Sequence, residues 1–446
     1  MKTRSQVPIP RVTANSRTIG IGLVGLGTVG TGTLKVLREH EGEIQRRLGC
    51  RLELKAVCDV RPKNTAWLGP EVRVTKDWRR VVGDPEVDIV IELIGGVSVA
   101  REVAFGAIRA GKHLVTANKH LMAEYGLELA EQARSARVRL GIEACVMGGT
   151  PLLHAVREGL SGEHFSAIFG ILNGTTNYIL TEMERRGCGF PEALAEAQEK
   201  GYAEHDPTFD LEGLDARYKI TILAMMCFGR AVPVKKIPVE GITRIDRVDF
   251  TYAHRLNQTI RLIACARRRA AQLEIFVRPM MIPRASLLAN VLGSLNGVLL
   301  VGNKGGNITM TGRGAGGEPT GVAVLSDVVG IARAMTSGSG GASPLGYTHW
   351  HRARLVAPGS SVVASYLRLV VRDRPGILAR VCGILARHRI NIDSVLQEPA
   401  MEKKHLPFVM TLEPTREIQV LHAVSEIKRL RFLAAPPLLI PFADLP

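Results

Sequence analysis

Two periods of apolar residues alternate along the first third of the chain. TIGIGLVGLG (18–27), RLELKAVCDV (51–60), DIVIELIGG (88–96) and KHLVTANK (112–119) are short apolar runs that end in turn-forming residues. TGTLKVLREHEGEIQRRL (31–48) instead carries its apolar positions at helical spacing. Strand and helix patterns in this order predict parallel βαβ units over residues 17–149. From 150 to about 334 the pattern shifts to longer helices and alternating strands, among them QLEIFVRPMMI (272–282). A stretch rich in Gly, Ser and Pro follows, and residues 335–364 are expected to form an interdomain linker. The tail has its own order over 365–446: strand SYLRLVVRD, helix ILARVCGILARHR, strands IDSVLQEPA and HLPFVMTLEP, helix EIQVLHAVSEIKRL, and strand FLAAPPLLIPFA. That βαββαβ order predicts a small ferredoxin-like domain, with the Pro-interrupted last strand at an edge because proline cannot donate to a ladder.

Composition narrows the class. A chain of 446 residues is too long for one ordinary core, and 46% apolar residues suit a globular α/β protein. No run of about 18 apolar residues occurs, so no membrane span is expected. Residues 1–16 are basic and lack the apolar segment of a secretory signal, which predicts a flexible arm. The seven cysteines show no CxxC pair; scattered thiols fit small core residues in a reducing cytoplasm. The net charge of +16 raises nucleic acid as a partner. However, the densest basic run, Arg267-Arg268-Arg269, has no aromatic neighbours for base stacking, so no nucleic-acid partner is expected.

GLGTVG places Gly25, Gly27 and Gly30 after a strand and before a helix. The first glycine permits the turn, the second lets backbone approach a pyrophosphate, and the third lets helix pack on strand. With Thr28 and Val29 they form a dinucleotide-binding turn facing a helix N-terminus. Asp59 ends the next strand, where a carboxylate holds a ribose diol; Arg61 and Lys63 offer charge for a 2′-phosphate. NAD and NADP both remain open. Asp59 lies further from the glycines than the usual ~20 residues, so the first helix is expected to be long or followed by a loop.

Several motifs converge in one order: VGLGTVG, ELIGG (92–96), TANK (116–119), EACVMGGTP (143–151), GILNGTTNYIL (170–180), GYAEHDPTFDLEGLDARYK (201–219) and GRGAGGEPT (312–320). Together they resemble homoserine dehydrogenase. DRPGILARVCGILARHRINI (373–392) resembles an ACT domain, a small amino-acid-binding regulatory module. The resemblance implies an α/β fold: a Rossmann-type parallel sheet domain completed by about 312–334, an α+β substrate and dimerisation domain over 150–311, and a C-terminal ACT domain. It implies reversible hydride transfer between NAD(P)H and L-aspartate 4-semialdehyde, giving L-homoserine, in a homodimer or homotetramer. Nucleotide contacts then extend to Gly95, Lys119, Gly201 and Gly316.

By the same resemblance Glu204, Asp210 and Asp215 bind the substrate, and Lys219 is the proton donor and acceptor, with Lys119 a second active-site lysine. The spacing agrees: on a helix Asp215 and Lys219 share one face at i and i+4. Two ammonium groups in a closed pocket would lower each other's pKa toward the working range. An isolated Asp–Lys pair at this spacing would otherwise read as a surface salt bridge. Glu212 and Asp206 read as solvated loop acids, and His205 as a bystander. Asn173, Thr175 and Thr176 offer polar groups near a domain junction, and a structural turn at Asn173-Gly174 also accounts for them.

EACVMGGTP reads as a Gly-rich hinge; the resemblance adds a monovalent cation, usually sodium, held by Glu143, Val146, Gly148 and Thr150, oxygen ligands suited to a hard ion. In the tail, Asp373, Gly376 and Ile377 at a strand-to-helix turn, with Asn391, form a candidate effector site for L-threonine; a purely oligomerising module is the alternative. The rivals are another semialdehyde or amino-acid dehydrogenase, and a catalytically dead amino-acid sensor. The Glu204–Lys219 motif opposes the first, and intact Lys119, Glu204, Asp215 and Lys219 oppose the second.

Overall fold

A computed structural model describes residues 18–62, 65–337, 344–398 and 403–446. The expected N-terminal arm, Lys63 and residues 338–343 of the 335–364 segment lie outside the described residues. The chain divides into two compact units, one of residues 1–161 with 315–349 and the other of 162–314 with 350–446.

The first unit is built on six strands: β1 (Thr18–Val24), β2 (Arg51–Cys58), β3 (Arg73–Thr75), β4 (Ile89–Glu92), β5 (His113–Thr116) and β6 (Leu140–Gly141). They run parallel in the order β3-β2-β1-β4-β5-β6, the doubly wound arrangement that puts ligands beyond the strands' carboxyl ends. Ile19, Ile21 and Leu23 of β1 are wholly buried, and helix Gly317–Ser337 returns to the same core through Val324, Val328 and Ile331. Glycines let it come close: a Cβ on Gly32 would lie 2.4 Å from the Gly317 carbonyl carbon. The helical pattern over 31–48 resolves into two helices, Thr28–Glu39 and Glu41–Leu48, broken at His40. The extra spacing before Asp59 is thus a second helix, in place of the long helix or loop expected. The unit also runs on to Ser161, past the 149 boundary read from the pattern. Glu143 draws that segment in, its carboxylate accepting from the Leu153 and His154 amides at 3.0 and 2.6 Å.

In the second unit β7 (Phe165–Ile171), β8 (Arg230–Ala231), β9 (Gln258–Arg269), β10 (Gln272–Pro283), β11 (Leu295–Gly302) and β12 (Asn307–Arg313) precede β13 (His351–Arg352). Five form an antiparallel sheet ordered β10-β9-β7-β11-β12, and β13 pairs in parallel with β8. The expectation of a linker over 335–364 is therefore corrected at both ends. Its start finishes helix Gly317–Ser337, and its later part satisfies its backbone on the unit, the Leu273 amide donating to Arg354 at 2.8 Å and Val356 to Leu273 at 2.9 Å.

The tail forms β14 (Val362–Val371), helix Ile377–Arg387, β15 (Ile392–Gln397), β16 (Leu406–Arg416), helix Glu417–Ile427 and β17 (Leu433–Pro441). Its antiparallel order β15-β16-β14-β17 leaves the Pro-containing β17 at an edge, as its composition requires. Leu367, Leu369, Val381, Leu385 and Val420 centre a core of its own. Six of the cysteines are buried and Cys382 is half-buried, all as free thiols.

Candidate active site

The glycine turn lies at the carboxyl end of β1. Gly25 adopts φ +105°, and its amide donates to the Cys58 carbonyl at 2.8 Å. A Cβ on Gly30 would lie 2.1 Å from the Gly25 carbonyl, so helix and turn touch there. Gly27 differs: space around it is open to 4 Å, and no side chain caps the helix it begins. The first-turn amides and the positive end of the helix are therefore available to a pyrophosphate, which the residues fit. Asp59 braces the turn, its Oδ2 accepting from the Leu26 amide and its Oδ1 from the Arg61 amide, both at 2.7 Å. Arg61 is exposed. Gly95 has open space beside it, and Gly316 adopts φ +120° ahead of helix Gly317–Ser337.

The ends of β4 and β5 carry a polar chain. Glu92 is wholly buried and accepts from Thr116 Oγ1 at 2.6 Å and from the Ile94 amide at 2.8 Å. Burial pushes its carboxyl up to about 7. Asn118 caps the next helix through the Leu121 amide at 3.0 Å and ties back to the Gly96 carbonyl at 2.7 Å. Lys119 is the first residue of helix Lys119–Ser135, next to that cap, and is half-buried.

In the second unit Asp215 and Lys219 occupy one face of helix Leu214–Phe228. They are 2% and 7% exposed, with Lys219 Nζ 2.7 Å from Asp215 Oδ2. The ammonium also donates to the Leu172 carbonyl at 2.8 Å, at the end of β7. Asn173 organises the acids: its Nδ2 donates to Asp210 at 2.8 Å and to Asp215 at 3.0 Å. Its Oδ1 caps helix Gly174–Arg186 through the Thr176 amide at 2.8 Å. Thr175 Oγ1 has one hydrogen to share between the Tyr202 carbonyl, at 2.7 Å, and Asp210 Oδ2, at 2.9 Å. Burial, and then the neighbouring Asp215 charge, raises Asp210 above the ordinary carboxylate range.

The structure thus brings Asp210, Asp215 and Lys219 together, but not Glu204. That side chain is exposed on the loop after Gly201, whose φ is +72°. Asp206 and Glu212 are exposed, and Asp206 accepts from the Thr208 amide and hydroxyl at 3.1 and 2.6 Å.

Glu143 is 1% exposed, and burial pushes its carboxyl up to about 7. Its amide donates to Asp327 Oδ2 at 2.7 Å, and His154 Nε2 meets Asp327 Oδ1 at 2.8 Å. Nearby, the Thr150 hydroxyl is buried with no hydrogen-bond partner among the described residues. A buried carboxyl and an orphaned hydroxyl on the same segment are oxygen ligands of the kind a small hard cation takes. In the tail Gly376, at φ +86°, begins helix Ile377–Arg387 without a side-chain cap. Asp373 is exposed, its amide bonded to the Lys403 carbonyl at 2.9 Å. The Ile377 side chain is buried in the tail's core, and Asn391 donates to Glu413 at 3.1 Å.

Comparison with known proteins bears on this arrangement directly. Residues 151–329 match the family profile described as homoserine dehydrogenase, residues 25–143 that of the homoserine dehydrogenase NAD binding domain, and residues 365–432 the ACT domain. The homoserine dehydrogenase of Neisseria gonorrhoeae is 38% identical over 432 residues, which span 96% of this chain and 99% of the relative. The chain belongs to the homoserine dehydrogenase family. A homoserine dehydrogenase of Pseudomonas aeruginosa is 39% identical over 430 residues, 94% of this chain and 98% of the relative. The crystal structure of homoserine dehydrogenase from Thiobacillus denitrificans matches with a TM-score of 0.89 at 39% identity, covering 97% of this chain and 99% of that one. A hyperthermophilic archaeal homoserine dehydrogenase in complex with NADPH matches at a TM-score of 0.60 and 26% identity, over 71% of this chain and 98% of that one.

As a homoserine dehydrogenase family member the chain is an NAD(P)-dependent oxidoreductase with a C-terminal ACT domain. No helix among the described residues is long and apolar enough to cross a membrane. Sequence reasoning named Asn173 and Thr175 without giving them work, and passed over Leu172, His154 and Asp327. Asn173 before a helix was the available signal, since the same residue type caps helices and donates through its amide. Asp327 gave none: it meets Glu143 and His154 only because its helix returns to the first unit.

Proposed function

We propose that the protein reversibly reduces L-aspartate 4-semialdehyde to L-homoserine, in the biosynthesis of threonine, methionine and isoleucine. The observation that carries this reading is the buried Asp215–Lys219 pair, 2.7 Å apart and framed by Asn173 and Asp210. A nicotinamide nucleotide at the glycine turn would supply the hydride, or accept it in reverse. Lys219 is the proposed general acid, protonating the substrate oxygen as the alcohol forms and recovering the proton when homoserine is oxidised. Its hydrogen bond to the Leu172 carbonyl and its pairing with Asp215 fix the direction of Nζ. Asp210 and Asp215 are proposed to receive the substrate's ammonium, with Glu204 from its loop, and Lys119 is proposed as the second catalytic lysine. Gly25 to Gly30, Asp59, Arg61, Gly95, Gly201 and Gly316 are the proposed nucleotide contacts.

Glu143, with the oxygens of Val146, Gly148 and Thr150, would hold a sodium ion; the Thr150 hydroxyl, without a hydrogen-bond partner among the described residues, supports this. A cytoplasmic homodimer or homotetramer is the proposed form. L-Threonine is the proposed effector, bound at Asp373, the uncapped helix start at Gly376 and Ile377, and Asn391. Calorimetry with threonine should give saturable heat, and assays a slower rate; neither heat nor rate change rejects this part.

The main test is homoserine-dependent reduction of NAD⁺ and NADP⁺, followed in parallel by absorbance. Turnover with either is expected, and the ratio of kcat/KM values assigns the roles of Asp59 and Arg61. Folded protein that turns over neither, with sodium or potassium supplied, overturns the proposal in favour of an amino-acid sensor.

A further inference from the structure

Strand β9 ends in three consecutive arginines, Arg267, Arg268 and Arg269. Alternation sends the outer two to one face, where they reach Glu274 at 2.6 and 3.3 Å. Arg268 points to the other face. Its Nε donates to the Phe165 carbonyl at 3.0 Å, and its guanidinium lies 5.1 Å from the centre of the Phe228 ring. There it lines a cavity of about 320 Å³ together with Arg230, His351, Arg352 and Arg354. Among the described residues the rest of the lining is neutral, and no acidic side chain contributes. Among the described residues no carboxylate pairs with Arg230, Arg352 or Arg354.

The cluster comes from two parts of the chain that the ladder between β8 and β13 joins. His351 pairs with Arg230 and Arg352 with Ala231, while the Ala353 amide donates to Ala231 at 2.9 Å. Without this docking Arg352 and Arg354 would sit on an ordinary solvated segment. Docked, they add their charge to that of Arg230, a repulsive arrangement that an anion with several oxygens would relieve. Guanidinium forks match phosphate oxygens in pairs, and an aromatic face beneath one of them holds its plane. The larger cavity at Arg139, Arg157 and Arg333, of about 470 Å³, differs because Glu158 and Asp327 also line it.

We propose that this cavity binds a small phosphate-bearing anion, in addition to the nucleotide at the glycine turn. The site is independent of the hydride-transfer reading, since none of its residues belongs to the proposed active site. The test is calorimetric titration of the full chain with pyrophosphate and, in parallel, ADP, at fixed ionic strength and with excess NADPH occupying the glycine turn. Saturable one-to-one binding of pyrophosphate is expected. The R352Q/R354Q double variant should weaken it by about tenfold or more, because two charge-assisted contacts are lost. R109Q/R134Q, with the same loss of charge elsewhere, should bind as the wild type does, and all three proteins should oxidise homoserine alike. Tighter binding of ADP than of pyrophosphate, also lost in R352Q/R354Q, supports the site and identifies a nucleotide as the source of the phosphate. If circular dichroism shows the double variant unfolded, Arg354→Gln alone carries the comparison. The proposal is overturned by absence of saturable binding, or by equal weakening in both double variants. It is also overturned if a short DNA duplex binds more tightly than either probe through the same arginines, which would make the surface a nucleic-acid contact.

Discussion

At the scale of single residues, the decisive quantity is the burial of Asp215 and Lys219. An exposed Asp–Lys pair at i,i+4 contributes about 0.2–0.5 kcal/mol to a helix. Here the side chains are 3% and 9% exposed. Removing one partner of a buried pair strips the other of its nearest opposite charge, which costs up to about 3–5 kcal/mol. Asp215→Ala should therefore lower the unfolding free energy in urea by about 3 kcal/mol, whereas a surface pair would hardly register. Lys219→Ala should reduce kcat for homoserine oxidation by about 10²–10⁴, the range of a lost general acid–base group, with a smaller change in KM. Asn173→Ala tests the residue whose part was not foreseen. It loses a helix cap and the donor shared by two carboxylates, so about 1–2 kcal/mol of stability should go, read by thermal unfolding, together with kcat/KM. The spacing of Asp215 and Lys219 was legible because a helix turns every 3.6 residues. Their burial was not, because it depends on residues brought in by other elements.

At the scale of elements, the carboxyl ends of β4 and β5 form a site whose charge changes with pH. Glu92, at the end of β4, is raised by burial from an ordinary 4.5 to about 7. The folded state therefore holds the proton more tightly than the unfolded chain does. Stability from this group is present below 4.5 and is lost as pH rises from 4.5 to about 7, by about 3 kcal/mol at most. Glu92→Gln should flatten that part of the stability curve, checked by urea unfolding between about pH 5 and pH 8. A wild-type curve with no fall over that range would show that Glu92 stays ionised. Other elements show where pattern reading loses resolution. His40 breaks one amphipathic stretch into two helices, yet apolar residues continue on both sides of it. Likewise His351 and Arg352 became a strand within Gly- and Ser-rich sequence because Ala231 and Leu273 offered them and their neighbours backbone partners.

At the scale of the molecule, the ACT domain packs on the rest of its compact unit through buried charge. Asp249 is wholly buried in helix Arg247–Arg255 and accepts from Tyr366 Oη at 2.7 Å and Arg368 Nη1 at 2.6 Å, both from β14. Burial lifts its carboxyl to about 6, with Arg368 pulling the other way. Arg278 of β10 pairs with Glu417 at the start of helix Glu417–Ile427. Arg368→Met should cost about 3–5 kcal/mol by stranding Asp249. Combining it with Asp249→Leu should recover part of that loss, because an apolar pair replaces the ions while the Tyr366 hydroxyl loses its acceptor. A urea double-mutant cycle measures the difference; a double variant no more stable than Arg368→Met would refute the coupling.

By itself the sequence determined what depends on near neighbours: the alternating elements, the glycine turn, the βαββαβ tail with its Pro-containing edge strand, and the i,i+4 pair. Backbone geometry enforces those over a few residues, so their periods and glycines are written in order along the chain. Tertiary structure alone decided the rest. Asn173 reaches Asp210 and Asp215 across 37 and 42 positions, His154 meets Asp327 across 173, and Arg368 finds Asp249 across 119. Burial, hydrogen bonding and desolvation act between groups that are close in space, and closeness across such separations exists only once the sheets have formed.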